Sequence, residues 1–298
     1  MAWLTNRYNK RSSRKLGWSP EWFGASAFDD DLAHKIGSFQ QLHDLEVDGK
    51  CGPTTYRRIM TDRELEETNN RWRKYIICDG QETEIKWPRV VNLNDSKGLI
   101  LPRSNYRRYA AGKRPIKNIV THFDVCLSAA SCFKVLNKKG ISSHFVIDND
   151  GTIFQMVDPQ HEAWHAGKRL WNKRAIGVDI SNAIYLKYQR WYETKGFGKR
   201  PVLRDVPVHG TTVKDCLGFY PVQIQAYRVL IKTLCDRYDI PVECPTNSDG
   251  TLFRAVYDPA VKGKYRGVVN HFHLTRGKWD TANLEMDKVL EEIRNSSN

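Results

Sequence analysis

The segment VVNHFHLTRGKWDTA, from Val268 to Ala282, holds the residues best equipped for chemistry. Two imidazoles (His271, His273), an ammonium (Lys278) and a carboxylate (Asp280) fall within ten residues of one another. A histidine and an aspartate nine positions apart can share one metal ion if the chain folds back at Gly277, with Lys278 facing whatever the metal holds. The same residues also suit a polar strand end beside a solvated loop. On a strand, residues two apart share a face, so spacing alone does not choose between His271 and His273. A hydrolytic zinc uses three protein ligands and keeps a fourth position open, so a third donor must come from elsewhere in the chain.

The elements that would position such a site begin near Ile116. Ile119-Val120-Thr121 reads as a buried strand ending at His122, a histidine that by itself fits a hydrogen-bonded core position as well as a ligand. Cys126 to Leu136 suits a helix. SSHFVIDNDGTIFQMV reads as two strands about an Asn149-Asp150-Gly151 turn, and AIGVDISNA as a buried strand in which Asp179 interrupts an apolar run. Residues 183–215 form an aromatic, basic insertion. Ile224, Tyr227, Leu230, Ile231 and Leu234 mark an amphipathic helix ended by Pro241, and Leu284 to Ile293 a closing helix. Strands and helices alternate, which predicts an α/β class with a mixed central sheet flanked by helices.

The chain ahead of this region predicts three parts. Residues 1–19 read as a mobile basic arm and 20–66 as a small helical domain. Residues 67–115 read as a linker and surface wrap, with a charged helix from Asp62 to Lys74 and a Tyr75–Trp87 hairpin about Asp79-Gly80. The α/β domain then spans 116–298.

Composition narrows the classes. The 298 residues are 40% hydrophobic and 27% charged, as in a globular protein. No apolar run reaches the length of a signal-peptide core or a spanning helix, so the sequence predicts a chain made in the cytoplasm with no signal peptide and no membrane span. Seven scattered cysteines contain no CxxC pair, which argues against a disulfide framework and against a cysteine-type structural zinc site. A net charge of +13 implies an anionic partner: nucleic acid, a membrane surface, or the bacterial envelope with its anionic polymers. Lys and Arg are spread along the chain without a nucleic-acid motif, so no specific nucleic-acid partner is expected.

Two resemblances sharpen this reading. Phe39-Gln40, Leu45, Val47-Asp48-Gly49 and Gly52-Pro53-Thr54 resemble the FQ…GL.VDG..GP.T signature of small three-helix peptidoglycan-binding domains, which implies a three-helix domain at the N-terminal end. Farther on, IVTHF, SSHFVIDNDGTIFQMV, AWHAG, AIGVDISN, the helix QIQAYRVLIKTLCDRYDIP and VVNHFHLTRGKWD together resemble, in this order, the zinc-dependent N-acetylmuramoyl-L-alanine amidases. That is the fold also used by peptidoglycan recognition proteins. The resemblance implies one zinc per chain held by His122, His271 and Asp280. It also implies Asp179 as the proton-transferring carboxylate and Lys278 as oxyanion stabiliser, with Trp164 and His165 beside the substrate groove. Here His271 is preferred to His273 because the family histidine directly follows the strand-ending small residue. The chain departs from the family in carrying Asp179 for Glu, Asn270 for Gly and Thr281 for Pro, and in its long 183–215 insertion.

The implied function is hydrolysis of the amide between N-acetylmuramic acid and L-alanine in bacterial peptidoglycan. A wall-binding unit ahead of the catalytic domain resembles a phage endolysin, an antimicrobial wall hydrolase that waits in the host cytoplasm until the membrane is opened. The alternative is a non-catalytic peptidoglycan-binding protein; the filled ligand positions and Lys278 weigh against it.

Overall fold

Residues 2–71 and 74–296 are described by the computed structural model. Three helices, α1 (Ala2–Leu16), α2 (Asp30–Leu42) and α3 (Pro53–Arg71), enclose a small core of Trp18, Ala25, Leu32, Ile36 and Cys51. The segment expected as a mobile arm is therefore α1 and its exit. It is held because Asn9 donates to the Gly49 carbonyl and accepts from the Cys51 amide, both at 2.9 Å, satisfying loop backbone that helix packing leaves unpaired. The charged helix expected to reach Lys74 ends at Arg71, and residues 72 and 73 lie outside the described residues.

The side chain of Gln40 accounts for the short motif that follows it. Its Oε1 accepts from the amides of Asp48 (3.1 Å) and Gly49 (2.9 Å), while Nε2 donates to Thr55 Oγ1 (3.1 Å) and the Lys50 carbonyl (3.1 Å). One buried amide thus closes the VDG loop onto the start of α3. Gly49 has φ 68°, and a Cβ there would lie 2.9 Å from the Ala33 carbonyl oxygen, so the loop needs glycine.

Residues 74–115, expected as a linker and wrap, belong to the larger domain. Strands β1 (Lys74–Cys78) and β2 (Gln81–Ile85) form a hairpin, and β3 (Val90–Val91) joins the edge of the main sheet. Ile76, Cys78, Ile85 and Trp87 are buried in the main core, and Gln155 pairs with both the amide (2.8 Å) and the carbonyl (2.6 Å) of Ile77. Strand β4 (Tyr106–Arg107) follows, and the buried Arg114 donates to the carbonyls of Lys173, Asn172 and Pro159.

The central elements are β5 (Asn118–Phe123), α4 (Ala129–Lys139), β6 (Phe145–Ile147), β7 (Ile153–Gln155), β8 (Glu162–Ala163), α5 (Arg169–Arg174) and β9 (Ala175–Ile180). After them come α6 (Gln189–Thr194) and the short strands β10 (Val202–Leu203), β11 (Val206–Val208), β12 (Thr211–Val213) and β13 (Cys216–Leu217). The chain closes with α7 (Pro221–Tyr238), α8 (Asp258–Val261), β14 (Gly267–Asn270) and α9 (Met286–Asn295). The six-stranded sheet runs β14-β5-β9-β6-β7-β3; only the β6–β7 pair is antiparallel. This is the mixed sheet flanked by helices that the alternation of elements predicts.

Period-two alternation divides the sheet's side chains between two faces. Ile119, Phe123, Ile176, Val178, Ile180 and Val268 join the core of α7 and α9, whereas Val120 and Val269 pack on the other side with Trp171 and Ala260. Burying Leu230, Ile231 and Leu234 of α7 stabilises this layer by about 1.5–3 kcal/mol per side chain. The second face is the one that receives His122, Gly177 and Asp179.

The 183–215 insertion has a structural part in joining the two domains. Arg57 of α3 donates to the Gly196 carbonyl (2.6 Å), with its guanidinium over the rings of Phe197 (5.3 Å) and Tyr220 (5.1 Å). Arg200, itself buried, ties the insertion to the sheet through the carbonyls of Gly218 (2.9 Å) and Ser181 (2.9 Å). Among the described residues no helix is long and apolar enough to cross a membrane.

Candidate active site

The parallel register sets His122 of β5 beside Asp179 of β9, and Asn270 of β14 beside Thr121. Both Asp179 and His122 therefore stand on the same sheet face, at the C-terminal ends of parallel strands. Open α/β sheets bind ligands at such ends.

Strand β14 stops at Asn270, and His271 to His273 form a turn of 3-10 helix. The expectation that the two histidines point the same way fails for this reason. The ring of His271 turns towards His122, while that of His273 turns inward, accepting from the Asn270 amide at Nδ1 (3.1 Å) and donating from Nε2 to the Phe253 carbonyl (2.6 Å). The chain folds back through Gly277, and the Asp280 carbonyl accepts from the Phe272 amide (3.1 Å).

Three donor atoms converge as a result. His122 Nδ1 lies 3.1 Å from His271 Nδ1 and 2.9 Å from Asp280 Oδ2, and His271 Nδ1 lies 3.0 Å from the same oxygen. Three lone-pair-bearing atoms in a triangle of this size suit a cation at their centre: tetrahedral zinc with bonds of about 2.0–2.1 Å separates its ligands by roughly 3.3 Å. The donor set, two imidazoles and one carboxylate, also suits other first-row metals. All three residues are buried.

Electrostatics follow the same pattern. Burial alone would raise the Asp280 pKa, but hydrogen bonds from His122 and His271, together with their charges, outweigh it and hold the carboxyl well below its usual range. Burial disfavours the cation on both histidines. For His122 the contacts with Asp280 and Asp179 overcome it and raise the pKa, while for His271 burial prevails and lowers it. Asp179 is raised: burial dominates, opposed by His122 and by a hydrogen bond from Ser143.

These groups open into a groove of about 410 Å³ whose lining includes Trp164, Asp179, Tyr185, Lys278 and Trp279. Lys278 is exposed at its rim, and its charge bears on both His122 and His271. Trp164 lines the groove. His165 lines the groove as well, and its ring nitrogens are engaged, Nδ1 lying 3.0 Å from His122 Nε2 and Nε2 3.3 Å from the Ala175 carbonyl.

Several residues of the site carry no local sequence signal. Ser143 bonds Asp179 from the neighbouring strand entrance, and His209 of the insertion reaches the Lys278 carbonyl at 2.9 Å. Tyr185 and Trp279 are aromatic wall residues brought together from the insertion and the late motif. A second group, Asp124, Cys126 and Cys132, also lies along the groove. Asp124 spends its oxygens on the amides of Cys126 (2.8 Å) and Asn182 (3.0 Å) and on Ser181 Oγ (2.8 Å). Burial, with repulsion from Asp179, pushes its pKa up to about 7.

Comparison with known proteins places this arrangement. An N-acetylmuramoyl-L-alanine amidase profile matches residues 112–280, more than half of the chain, and a peptidoglycan binding domain profile matches residues 15–59. N-acetylmuramoyl-L-alanine amidase AmiD of Escherichia coli (strain K12) is 30% identical over 145 residues, 46% of each protein. The chain thus spans about half the length of the curated relative it matches. Among solved structures, a mutant endolysin from Bacillus subtilis is 19% identical with a TM-score of 0.40, covering 66% of this chain and 96% of that one. The complex of AmiD from E. coli with anhydro-N-acetylmuramic acid-L-Ala-D-gamma-Glu-L-Lys is 27% identical with a TM-score of 0.31, covering 48% and 53%. The family match runs from ahead of β5 through Asp280 and so takes in every residue of the converging cluster: the chain belongs to the N-acetylmuramoyl-L-alanine amidase family.

Proposed function

We propose that this protein hydrolyses the amide between the lactyl group of N-acetylmuramic acid and the L-alanine of the peptidoglycan stem peptide. The observation that carries the reading is the convergence of His122 Nδ1, His271 Nδ1 and Asp280 Oδ2 within 3.1 Å of one another at the floor of a groove, with Asp179 beside His122. His122, His271 and Asp280 are the residues that would hold one zinc ion. When bound, zinc supplies Lewis acidity, activating water near neutral pH and polarising the scissile carbonyl.

The chain's own groups do the rest. Asp179, with its pKa raised by burial, accepts a proton from the attacking water and returns it to the leaving nitrogen of L-alanine. Lys278, at the rim with its backbone held by His209, donates to the oxyanion as the carbonyl becomes tetrahedral. Trp164, Tyr185 and Trp279 present aromatic faces against which sugar or peptide can lie. Residues 2–71 are the wall-binding unit and residues 74–296 the catalytic domain, with peptidoglycan as the shared partner and anionic envelope polymers as a further attraction for the +13 charge. This pairing supports a lytic, endolysin-type role.

The test is mass spectrometry of products released from purified peptidoglycan by the protein as isolated, after chelation, and after zinc is restored. Stem peptides with a free L-alanine amine, lost on chelation and recovered with zinc, are expected. Intact muramoyl–alanine linkages at full zinc occupancy would overturn the reading in favour of a binding protein, and cleavage within the glycan or between peptide residues would overturn the family chemistry.

A further inference from the structure

His165 sits outside the metal triangle, yet its ring is held at both nitrogens. Its imidazole stands edge-on to that of His122, with centroids 5.2 Å apart and planes at 82°. Both nitrogens are engaged, Nδ1 with His122 Nε2 at 3.0 Å and Nε2 with the Ala175 carbonyl at 3.3 Å. A carbonyl only accepts, so His165 Nε2 carries a proton. A neutral imidazole carries a single ring proton, so with Nε2 protonated the other nitrogen offers a lone pair. Its Nδ1 is then an acceptor, and the 3.0 Å contact can only be a hydrogen bond donated by His122 Nε2. With its single ring proton on Nε2, His122 presents the Nδ1 lone pair to a metal between His271 and Asp280, in place of the hydrogen bond from Nδ1 to Asp280 Oδ2 that serves when no metal is held.

We infer that His165 is a positioning residue that locks His122 in the tautomer presenting Nδ1 to the metal, and that Gly177 is the position that admits it. Gly177 lies on β9, opposite Val120 of β5. A Cβ built there would meet His165 at three ring atoms, 2.7 Å from Cγ, 2.8 Å from Cδ2 and 2.9 Å from Nδ1. Real Cβ atoms do not approach so closely, so any side chain at this position would displace the ring. No positive φ requires glycine at Gly177; the requirement is space. The backbone of His165 is fixed from the other side by Asn172 Oδ1, which accepts from the amides of His165 (3.2 Å) and Ala166 (2.8 Å). The hydrogen-bond chain therefore runs from the Ala175 carbonyl through His165 to His122 and ends at the metal position. Outer-shell partners of this kind hold ligand orientation and basicity.

This inference rests on the proposed metal site and is tested without substrate. Zinc affinity of the full chain is measured by competition with a chromophoric chelator, and thermal unfolding is measured in excess chelator, for the parent, His165→Leu, His165→Asn, His165→Gln and Gly177→Ala. Asn places an amide oxygen where Nδ1 lies and should bind zinc within about threefold of the parent. Leu offers no acceptor, and Gln places its amide near Ala175 instead. Both should lose roughly 10–100-fold in affinity, with Gly177→Ala following them. In the zinc-loaded parent, 15N spectra of labelled histidine should show His122 Nε2 protonated.

Parent-like zinc affinity in His165→Leu, equal weakening of the Asn and Gln variants, or a His122 protonated at Nδ1 would overturn the inference. The spectrum decides the matter even where a variant fails to fold. A parent that binds no zinc would remove the metal reading itself. A parent that binds zinc with the expected variant order but cleaves no peptidoglycan would remove only the proposed activity.

Discussion

Replacing Asp179 by asparagine separates activity from stability in a direction that the structure dictates. Asp179 is buried on the sheet face beside His122, and burial holds its pKa above the ordinary value in the folded protein. Ionising such a carboxyl costs folding free energy. With the folded pKa above the unfolded one, the two states are equally protonated at low pH, and stability falls as pH rises from the unfolded value near 3.9 through the folded one. An amide of the same shape has no charge to desolvate and can still meet Ser143. Metal-free Asp179→Asn should therefore melt at or above the parent temperature at neutral pH, with the difference vanishing below about pH 4.

Catalysis should move the other way. Loss of a positioned general base costs about 10²–10⁴ in rate, roughly 2.7–5.5 kcal/mol of transition-state stabilisation. Zinc affinity should stay within tenfold of the parent, because His122, His271 and Asp280 are untouched. The assay is kcat for release of L-alanine-terminated peptides from a soluble muramoyl peptide, paired with thermal unfolding in excess chelator from pH 4 to 8. Retention of activity within tenfold would remove Asp179 from proton transfer. A metal-free melting temperature several degrees below the parent would make it a structural carboxylate instead.

Other consequences are as specific. Lys278→Ala should lower kcat by about 10²–10³ with little change in KM, as expected for a donor to a developing oxyanion; an effect confined to KM would assign Lys278 to substrate binding. His273 is neutral because burial depresses its pKa to about 3 and its Nδ1 accepts the Asn270 amide. A folded pKa below the unfolded value of about 6.5 gives stability that is present above pH 6.5 and lost as pH falls towards 3. His273→Asn should flatten that part of a melting-temperature-versus-pH curve, and an unchanged slope would refute the assignment. Arg57→Ala removes the guanidinium seated on Phe197, Tyr220 and the Gly196 carbonyl. Calorimetry should then resolve the helical unit melting before the α/β domain, whereas a single transition at the parent temperature would show that this seat does not couple them.

What the sequence determined by itself lies within single elements. The apolar runs of IVTHF and GVDI were enough to define buried strands that carry His122 and Asp179, and the helical period of residues 221–238 was enough to define an amphipathic helix. The motif running from Gln40 through Gly49 to Thr54 is legible for the same reason, since the partners of Gln40 lie within fifteen residues of it, although the threonine it bonds is Thr55.

The tertiary structure decided whatever depends on distant contacts. His122 meets His271 across 149 positions and Asp280 across 158, and only the pairing of β14 with β5 brings them together. The choice between His271 and His273 turned on where β14 stops, because a 3-10 turn rotates neighbours apart while a strand would have aligned them. His165 does line the groove, but AWHAG contains nothing about the ring of His122, which only the fold brings against it. Residues 2–16 and 74–91 looked like arm and linker because their ordering forces, Asn9 on a distant loop and Gln155 on Ile77, come from elsewhere in the chain. Local periodicity reports which face a residue takes, but sheet register and chain reversal decide which residues share that face.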